Sequence, residues 1–331
     1  MSNSIVVTGA GGFVGGQVAE RLARDGFLVR GALYRRGTTA QIPGVEWCHP
    51  GSIHEGAGWP GILSGADVVV HAAAKVHAPG TSDADDDYFR INTDGTLRLA
   101  EQALEAGVRR FVFLSTVKVH GEGRSDTAIT ELSPLDPQTH YAASKARAES
   151  GLIALAGRGA MDVVIVRPPI VYGPNGPGNF RRLVQLVKAG LPLPLGAVRN
   201  RRSLVSIDNL ADLVATCVVA EQAANQCFIV ADAEVLSTAE LVGLIATALN
   251  RRAWIFSMPT GWLRWAARVV GAGREFEKLC GSFYVDTGKA REILSWRPPI
   301  SAAEGVFRAV APVHDQGRPS GAPRPNRVRG G

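Results

Sequence analysis

The chain has 331 residues, and 46% of them are hydrophobic, enough to fill one large globular core or a large core joined to a smaller one. Lys and Arg outnumber Asp and Glu by 36 to 30, but residues 312–331 hold four Arg and one Asp, half of the net charge of +6. The charge therefore gives no indication of a nucleic-acid partner, and it is compatible with an acidic small substrate.

The sequence predicts no metal site, disulfide or membrane span. Its four cysteines are far apart and lack metal-ligand spacing, so we expect reduced thiols. The acidic run 83–87 precedes a predicted helix, whose N-terminus favours negative charge, so we expect a solvated helix start there. The N-terminal residues lack the pattern of a secretion signal, and no run of about 18 apolar residues occurs. We expect a cytoplasmic protein without membrane insertion.

Short apolar runs alternate with longer amphipathic stretches over the first half of the chain. Helices are predicted from the first strand to about residue 25, over 85–106 and over 139–156. The predicted strands are 4–8, 27–33, 45–48, 67–73, 111–115 and 162–168. Apolar strands separated by helices form parallel sheets that are covered on both faces. The sequence therefore predicts an α/β fold, a Rossmann-type doubly wound parallel sheet, over residues 1–168.

The alternation of short strands and helices stops after Pro168, where a loop rich in Gly and Pro precedes predicted helices near 180–189, 209–222 and 237–249. We interpret residues 169–311 as a smaller C-terminal substrate-binding lobe, interleaved with the first domain. The apolar stretch 259–273 is too short to span a bilayer, so we expect burial or a subunit contact. Residues 312–331 are predicted to be a disordered tail.

A glycine-rich turn follows the first predicted strand directly and opens a helix. Gly9, Gly12 and Gly15 allow the backbone to turn tightly and to approach a pyrophosphate, which then lies at the helix N-terminus. The position of this turn between a strand and a helix predicts a dinucleotide-binding site.

The end of the second strand indicates which dinucleotide binds. An Asp or Glu at this position accepts a hydrogen bond from the ribose 2′-hydroxyl of NAD. Here the strand continues into Leu33-Tyr34-Arg35-Arg36, with no acid and two guanidinium groups that suit a 2′-phosphate. The sequence favours NADP, with NAD as the alternative if both arginines are solvated loop charges.

Tyr141 and Lys145 lie four residues apart, hence on one face of a predicted helix. A phenol titrates near pKa ~10, but a nearby ammonium and an oxidised nicotinamide favour the phenolate. We therefore expect Tyr141 to be the acid-base catalyst and Lys145 to lower its pKa.

These motifs together resemble the extended short-chain dehydrogenase/reductase family, the group that contains UDP-galactose 4-epimerase, over about residues 3–311. The family has a third catalytic Ser or Thr after its fifth strand, and the segment 114–121 places Thr116 there, with Ser115 as a structural neighbour. His120 replaces a frequent Tyr, and we expect a packed or hydrogen-bonded loop residue.

The resemblance also implies further cofactor contacts. Asn92 would hold the active-site water and backbone, Ser52 stands where an Asp is frequent beside the adenine, and Ala72–Ala74 would pass under the cofactor. The expected cofactor-binding residues are Gly9, Gly12, Phe13, Val14, Gly15, Arg35, Arg36, Ser52, Ile53, Ala72, Ala73, Ala74, Asn92, Tyr141, Lys145 and Pro169.

The substrate implied by the resemblance is a UDP-sugar. Asn179 and Phe180 match the segment that meets the uridine diphosphate, Arg202 matches an arginine that pairs with the diphosphate, and Thr116 would bind the sugar. The resemblance also implies a homodimer through helices 85–106 and 139–156. Its contact residues would be Leu97, Leu99, Ala142, Ala146 and Leu152.

Two reactions fit these residues. The chain is most similar to a polysaccharide-biosynthesis subgroup that contains reductases of UDP-4-keto-6-deoxy-N-acetylhexosamines and UDP-glucose 4-epimerases. A net reductase exchanges NADPH, whereas an epimerase typically keeps NAD, so Arg35 and Arg36 favour the reductase. A non-enzymatic NADP sensor is disfavoured because Tyr141 and Lys145 are both present.

Overall fold

The computed structural model describes residues 4–34, 42–53, 58–76, 85–122, 127–269, 271 and 273–311. The strands are Ser4–Thr8 (β1), Leu28–Ala32 (β2), Val45–Cys48 (β3), Val68–His71 (β4), Arg110–Leu114 (β5), Asp162–Arg167 (β6), Ile170–Tyr172 (β7), Leu204–Ser206 (β8) and Cys227–Ile229 (β9). The α-helices are Phe13–Arg24 (α1), Trp59–Leu63 (α2), Asp85–Phe89 (α3), Gly95–Glu105 (α4), His140–Ala156 (α5), Asn179–Lys188 (α6), Ile207–Val219 (α7), Thr238–Ala248 (α8), Thr260–Val269 (α9), Gly273–Cys280 (α10), Gly288–Leu294 (α11) and Ala302–Val310 (α12). A π-helical turn, Arg90–Asp94, joins α3 to α4, and 3₁₀ turns occupy Val117–His120 and Glu221–Ala223.

Seven strands form one parallel sheet in the order β3-β2-β1-β4-β5-β6-β9. The first six follow the order of dinucleotide-binding folds, in which the chain reverses direction across the sheet between β1 and β4 and leaves a crevice at their carboxyl ends. Each predicted run overlaps one of these strands, so the Rossmann-type doubly wound sheet is confirmed. β9 was not predicted, because three residues are too few to give a periodic signal.

Residues of the central strands point alternately to two cores. Ile5 and Val7 pack on one face with α1 and α7, whereas Val6 packs on the other face with α4 and α5. Because both faces are buried, the strands are apolar throughout. The helices hold the strands rigidly, so the carboxyl ends of β1, β2 and β4 form a fixed edge.

A separate C-terminal core lies beyond the sheet. It joins β7 and β8, which pair with each other, to α6, α8 and α12, and it includes Tyr172, Phe180, Leu204, Leu241 and Val306. β9 and α11, although late in the chain, pack on the main sheet. The division into two lobes at residue 168 stays a prediction, and the segment 312–331 lies outside the described residues.

Helices α4 and α5 do not present the side chains expected for a subunit contact. Leu99, Ala142 and Leu152 are completely buried within the chain, and Ala146 is 9% exposed. Leu97 lies against Gly151 of α5. The interpretation that these side chains need a second subunit is therefore wrong, since the chain itself covers them. The homodimer stays a prediction without this support.

Several large side chains of the apolar stretch 259–273 are exposed, contrary to the expectation of burial. Trp262 and Trp265 of α9 are 67% and 63% exposed. The helix has ten residues, and none of the described helices combines the length and the apolar character that crossing a bilayer requires. An exposed apolar helix face that cannot span a membrane needs another explanation.

Candidate active site

A cavity of about 500 Å³ lies at the carboxyl ends of β1, β2 and β4. The predicted cofactor residues that line it are Gly9, Gly12, Ser52, Ile53, Ala72, Ala73 and Ala74. The lining residues that the sequence did not single out are Thr8, Gly11, Ala32, Leu33, Tyr34, Pro50, Gly51, Trp59, Lys75, Arg90 and Ile91. Most of the second group lie within two positions of a predicted cofactor residue, so the motifs mark the right segments but not their full extent.

The glycine-rich turn closes on itself at one end of this cavity. Gly9 has φ +67°, and a Cβ there would lie 2.8 Å from the amide nitrogen of Ala73. A Cβ at Gly15 would lie 2.2 Å from the Gly9 carbonyl oxygen, so Gly15 permits the close packing of the turn on α1. Gly12 donates its N–H to the same carbonyl at 2.8 Å. The turn therefore presents the N-terminus of α1 to the cavity, as a phosphate site requires.

Phe13, Val14 and Gly15 are not among the described lining residues. The Phe13 ring instead packs toward Gly173 and Gly176, in the loop after β7. Their expected contacts with the cofactor stay predictions.

The described lining residues of the cavity include two cations, Lys75 and Arg90, and no carboxylate. β2 ends at Ala32, and Leu33 and Tyr34 continue along the cavity where an acid would bind the ribose of NAD. Arg35 and Arg36 lie outside the described residues.

Asp87 forms ion pairs with both cations of the cavity rim. Its carboxylate accepts hydrogen bonds from Lys75 at 2.8 Å and from Arg90 at 2.7 Å, which lower the pKa of Asp87 to about 2. Asp87 thus belongs to a rim ion pair and not to a free acidic cluster. The described part of the chain contains no group of His, Cys, Asp and Glu suited to a metal ion.

A series of buried hydrogen bonds runs from the glycine-rich turn to α5, and we call it the polar relay. The Ala73 amide donates to Thr8 Oγ1 at 3.1 Å, and Thr8 Oγ1 lies 2.6 Å from His71 Nδ1. His71 Nε2 lies 2.9 Å from Thr96 Oγ1, which donates to the Asn92 carbonyl at 2.7 Å. The relay therefore spans β1, β4 and the π-helical turn.

These bonds fix the tautomer of His71. The Thr96 hydroxyl donates its proton to the Asn92 carbonyl, so toward His71 it can only accept, and it accepts from His71 Nε2–H. His71 Nδ1 then carries no proton and accepts from the Thr8 hydroxyl. Burial and the nearby Lys145 lower the pKa of His71 well below its ordinary value, so the ring is neutral, as this arrangement requires.

Asn92 connects the polar relay to the helix of the predicted catalytic residues. Its side chain accepts from the Lys75 amide at 2.7 Å and donates to the Lys75 carbonyl at 3.0 Å and to Ser144 Oγ at 3.1 Å. Ser144 in turn donates to the Tyr141 carbonyl at 2.8 Å. Asn92 thus ties the β4 end of the cavity to the first turn of α5.

The three predicted catalytic residues lie at the turn that follows β5 and on α5. Thr116 caps the 3₁₀ turn after β5 and accepts from the Lys118 amide at 3.3 Å. Tyr141 lies in the first turn of α5, which Thr139 caps. Lys145, one turn later, is 1% exposed, donates to the Leu114 carbonyl at 2.7 Å and lies 4.3 Å from the centroid of the Phe113 ring.

In the protein without its cofactor, the pKa of Tyr141 is raised, so the expected lowering by Lys145 together with the oxidised nicotinamide stays a prediction. Burial raises the pKa of Tyr141 to about 12 and lowers the pKa of Lys145 to about 7, although Glu149 opposes the second shift. Lys145 is completely buried whereas Tyr141 is partly exposed, and the Lys145 ammonium is directed to the Leu114 carbonyl. Tyr141 is therefore protonated at neutral pH, the form that donates a proton.

A buried ion pair between Arg167 and Glu149 holds the turn that follows β5. Arg167 binds Glu149 through Nη2 at 2.5 Å and through Nε at 3.0 Å, and Ser115 Oγ donates to the same carboxylate. Arg167 Nη1 donates to His120 Nε2 at 2.9 Å, and His120 Nδ1 donates to the Pro134 carbonyl at 3.0 Å. His120 is thus a hydrogen-bonded loop residue, as expected.

The predicted diphosphate residues meet in the C-terminal core. Asn179, Phe180 and Arg202 line a cavity of about 40 Å³. Arg202 Nη1 donates to the Gly281 carbonyl at 3.1 Å, and burial lowers the pKa of its guanidinium. The Phe180 ring is buried with its centroid 5.0 Å from that of Tyr172. Phe180 therefore both packs in the core and lines the cavity. Pro169, partly exposed, links β6 to β7.

The model of the NAD dependent epimerase/dehydratase family matches residues 5–231. The chain belongs to this family. It is 38% identical to the UDP-glucose 4-epimerase of Vibrio cholerae over 94% of this chain and 95% of that one. It is 24% identical to the N-acetyl-α-D-glucosaminyl-diphospho-ditrans,octacis-undecaprenol 4-epimerase of Escherichia coli O157:H7, over 76% of this chain and 74% of that one.

Solved members of the epimerase/dehydratase family share the fold. The dTDP-glucose 4,6-dehydratase of Streptomyces venezuelae, solved with NAD bound, superposes with a TM-score of 0.74 at 28% identity, over 92% of this chain and 95% of that one. The predicted membership of the extended short-chain dehydrogenase/reductase group is confirmed. The chain is an enzyme of this family, and its relatives include enzymes named for the nucleotide sugars UDP-glucose and dTDP-glucose.

Proposed function

We propose that the chain is an NADP-dependent reductase at C4 of a UDP-linked hexose, such as a UDP-4-keto-6-deoxy-N-acetylhexosamine. The carrying observation is the end of β2, where Leu33 and Tyr34 line the cavity and no acid is present. Arg35 and Arg36 follow directly in the sequence. None of the described lining residues at this end of the cavity would repel a 2′-phosphate, and the two guanidinium groups that follow in the sequence suit such a phosphate.

The residues of the cavity fit a dinucleotide. A Cβ at Gly9 or Gly15 would fill the space that the turn needs, and the N-terminus of α1 faces the pyrophosphate position. Ser52, Ile53 and Ala72–Ala74 line the cavity, which supports the proposal that Ser52 and Ile53 lie beside the adenine and that Ala72–Ala74 pass under the cofactor. When bound, the nicotinamide supplies the hydride, and its oxidised form adds a positive charge that favours the phenolate.

In the proposed reaction, Tyr141 and Thr116 act on the oxygen at sugar C4, and Lys145 acts through Tyr141. Tyr141, protonated by virtue of its burial, donates its proton to that oxygen as the ketone becomes an alcohol. Thr116 donates a hydrogen bond to the same oxygen. Lys145, held by the Leu114 carbonyl, stabilises the phenolate left on Tyr141. Arg202 binds the diphosphate and so positions the sugar ring.

The alternative is an NAD-dependent UDP-hexose 4-epimerase, which the similarity to the Vibrio cholerae enzyme favours. The same three residues serve it, since an epimerase oxidises C4 and then reduces it from the other face. In that case Tyr141 takes a proton before it returns one, and no net cofactor is consumed.

A panel assay distinguishes the two reactions. The purified protein is incubated with UDP-hexoses and with UDP-4-keto-6-deoxy-N-acetylhexosamines, each with NADPH and with NADH, and the products are identified by NMR. The Escherichia coli relative is named for a sugar on undecaprenyl diphosphate, so a lipid-carried sugar is included. We expect NADPH consumption with a keto-sugar; interconversion of UDP-glucose and UDP-galactose without consumption supports the epimerase.

A further inference from the structure

Five large apolar side chains point into solvent from one short segment of the C-terminal part of the chain, and we call them the aromatic face. Trp254, Phe256, Trp262, Trp265 and Val269 are 64%, 44%, 67%, 63% and 67% exposed. Single exposed apolar residues are ordinary. Three exposed tryptophans, a phenylalanine and a valine within sixteen residues are not.

The exposure results from a firmly anchored backbone. Leu193 donates its N–H to the Trp254 carbonyl at 2.7 Å, and the Phe256 amide donates to the Leu193 carbonyl at 3.0 Å. Ile255 points the other way and packs on the C-terminal core, as expected for alternation along an extended segment. The segment is thus fixed with its rings outward.

Helix α9 repeats this division between an inner and an outer side. Leu263 packs on the C-terminal core, whereas Trp262, Trp265 and Val269 are spaced by three and four residues and therefore share the outer face. The rings of Trp262 and Trp265 contact edge to face, with centroids 6.4 Å apart.

The segment that carries the aromatic face is basic. Residues 250–273 contain four arginines and no acid. Arg251, Arg252, Arg264 and Arg268 are all exposed. Tryptophan beside arginine on a short amphipathic helix is the composition of helices that lie in the membrane interface, where each basic residue near an anionic surface contributes about 1 kcal/mol.

We propose that the aromatic face docks on an anionic lipid surface, with α9 lying in the plane of the interface. The charge pattern selects this occupant over a second copy of the chain, because a two-fold interface through this face would bring the arginines of both copies together. Docking also brings the Arg202 cavity near the bilayer, since α10 packs on α9 and Leu279, near its end, lines that cavity.

The test is flotation of the full chain with vesicles. Phosphatidylcholine vesicles with phosphatidylglycerol are compared with phosphatidylcholine alone, and tryptophan emission is recorded in parallel. We expect binding to the anionic vesicles, with a blue shift of the emission and weaker binding at high salt. Replacing both exposed tryptophans (Trp262→Ser and Trp265→Ser) should reduce the binding at least about tenfold, because the buried ring area is lost.

The matched control is Phe307→Ser, which removes a 54% exposed ring from α12 and should leave binding unchanged. Thermal unfolding confirms that each variant is folded. The proposal is overturned if the wild type does not bind anionic vesicles, or if the double variant binds as well as the wild type, since the arginines would then attract any polyanion. It is also overturned if the double variant changes the sedimentation of the free protein, which would make the face a subunit contact.

Discussion

The polar groups beneath the cofactor cavity and those of the C-terminal core differ in how they are bound. In the polar relay, Thr8, His71 and Thr96 each have a fixed donor or acceptor role inside the protein. Arg202, by contrast, gives a hydrogen bond to one backbone carbonyl and borders a cavity of about 40 Å³. The comparison teaches that the cofactor side of the site is preorganised by the protein itself, whereas the proposed function requires Arg202 to take its charged partner from the ligand.

The largest expected effect removes the proton donor from the preorganised region. Tyr141→Phe keeps the ring and its packing but loses the hydroxyl, so turnover should fall by a factor of about 10² to 10⁴ while cofactor binding is retained. Steady-state kinetics and a fluorescence titration with NADPH measure both. Tyr284→Phe, whose ring stacks on Arg201, is the matched control. A loss smaller than about tenfold would exclude Tyr141 as general acid.

The next effect concerns the cofactor's specificity. Replacing Arg35 and Arg36 with serine should weaken NADPH binding by about ten- to a hundredfold and leave NADH binding nearly unchanged, because one charge-assisted contact contributes about 1.5 to 3 kcal/mol. Serine at Arg158 and Arg297, both exposed elsewhere, makes the same change of net charge and serves as the control. Equal loss of both cofactors would show that the arginines do not read the 2′-phosphate.

The substrate side is tested through Arg202. Arg202→Gln should raise KM for the nucleotide sugar by about tenfold with a smaller change in kcat, since the lost contact binds the diphosphate and not the reacting atoms. Arg201→Gln, at the neighbouring position, is the control. If KM is unchanged and kcat falls instead, Arg202 acts on the chemical step and the contrast between the two regions fails.

The smallest effect is on stability and concerns Lys145. Its pKa in the folded chain is about 7, below the ordinary value of 10.5, because burial disfavours the ammonium. Between these pH values the unfolded chain binds more protons, so the stability of the wild type should rise with pH, by at most about 1.4 kcal/mol per pH unit. Denaturation of the wild type and of Lys145→Met at several pH values measures this, and the variant should lack the slope. Parallel curves would mean that Lys145 stays charged in the folded protein.

The sequence predicts the parts of the site that local motifs carry. The turn at Gly9 and the pair Tyr141 and Lys145 are each recognised from a few neighbouring residues and from the strand or helix in which they lie. The polar relay could not be predicted, because Thr8 and His71 are 63 positions apart and no motif marks their contact.

The burial and exposure of individual side chains could not be predicted from the sequence either. The raised pKa of Tyr141 depends on how completely the folded chain covers it, which no spacing reveals. Likewise, the pattern of α9 is equally apolar whether its face is covered or, as for Trp262, open to solvent. A three-residue strand such as β9 is set by its neighbours in the sheet and carries too little periodicity to predict.

The central claim is reduction at C4 of a UDP-sugar with hydride from NADPH, and isotope transfer tests it most directly. NADPH carrying deuterium at C4 of the nicotinamide, on the transferred face, is mixed with a UDP-4-keto-6-deoxy-N-acetylhexosamine and the protein. The account predicts that deuterium appears at C4 of the product hexose, one atom for each NADPH oxidised, and that Tyr141→Phe abolishes the transfer. Unlabelled product, or interconversion of UDP-hexoses with no oxidation of NADPH, would contradict it.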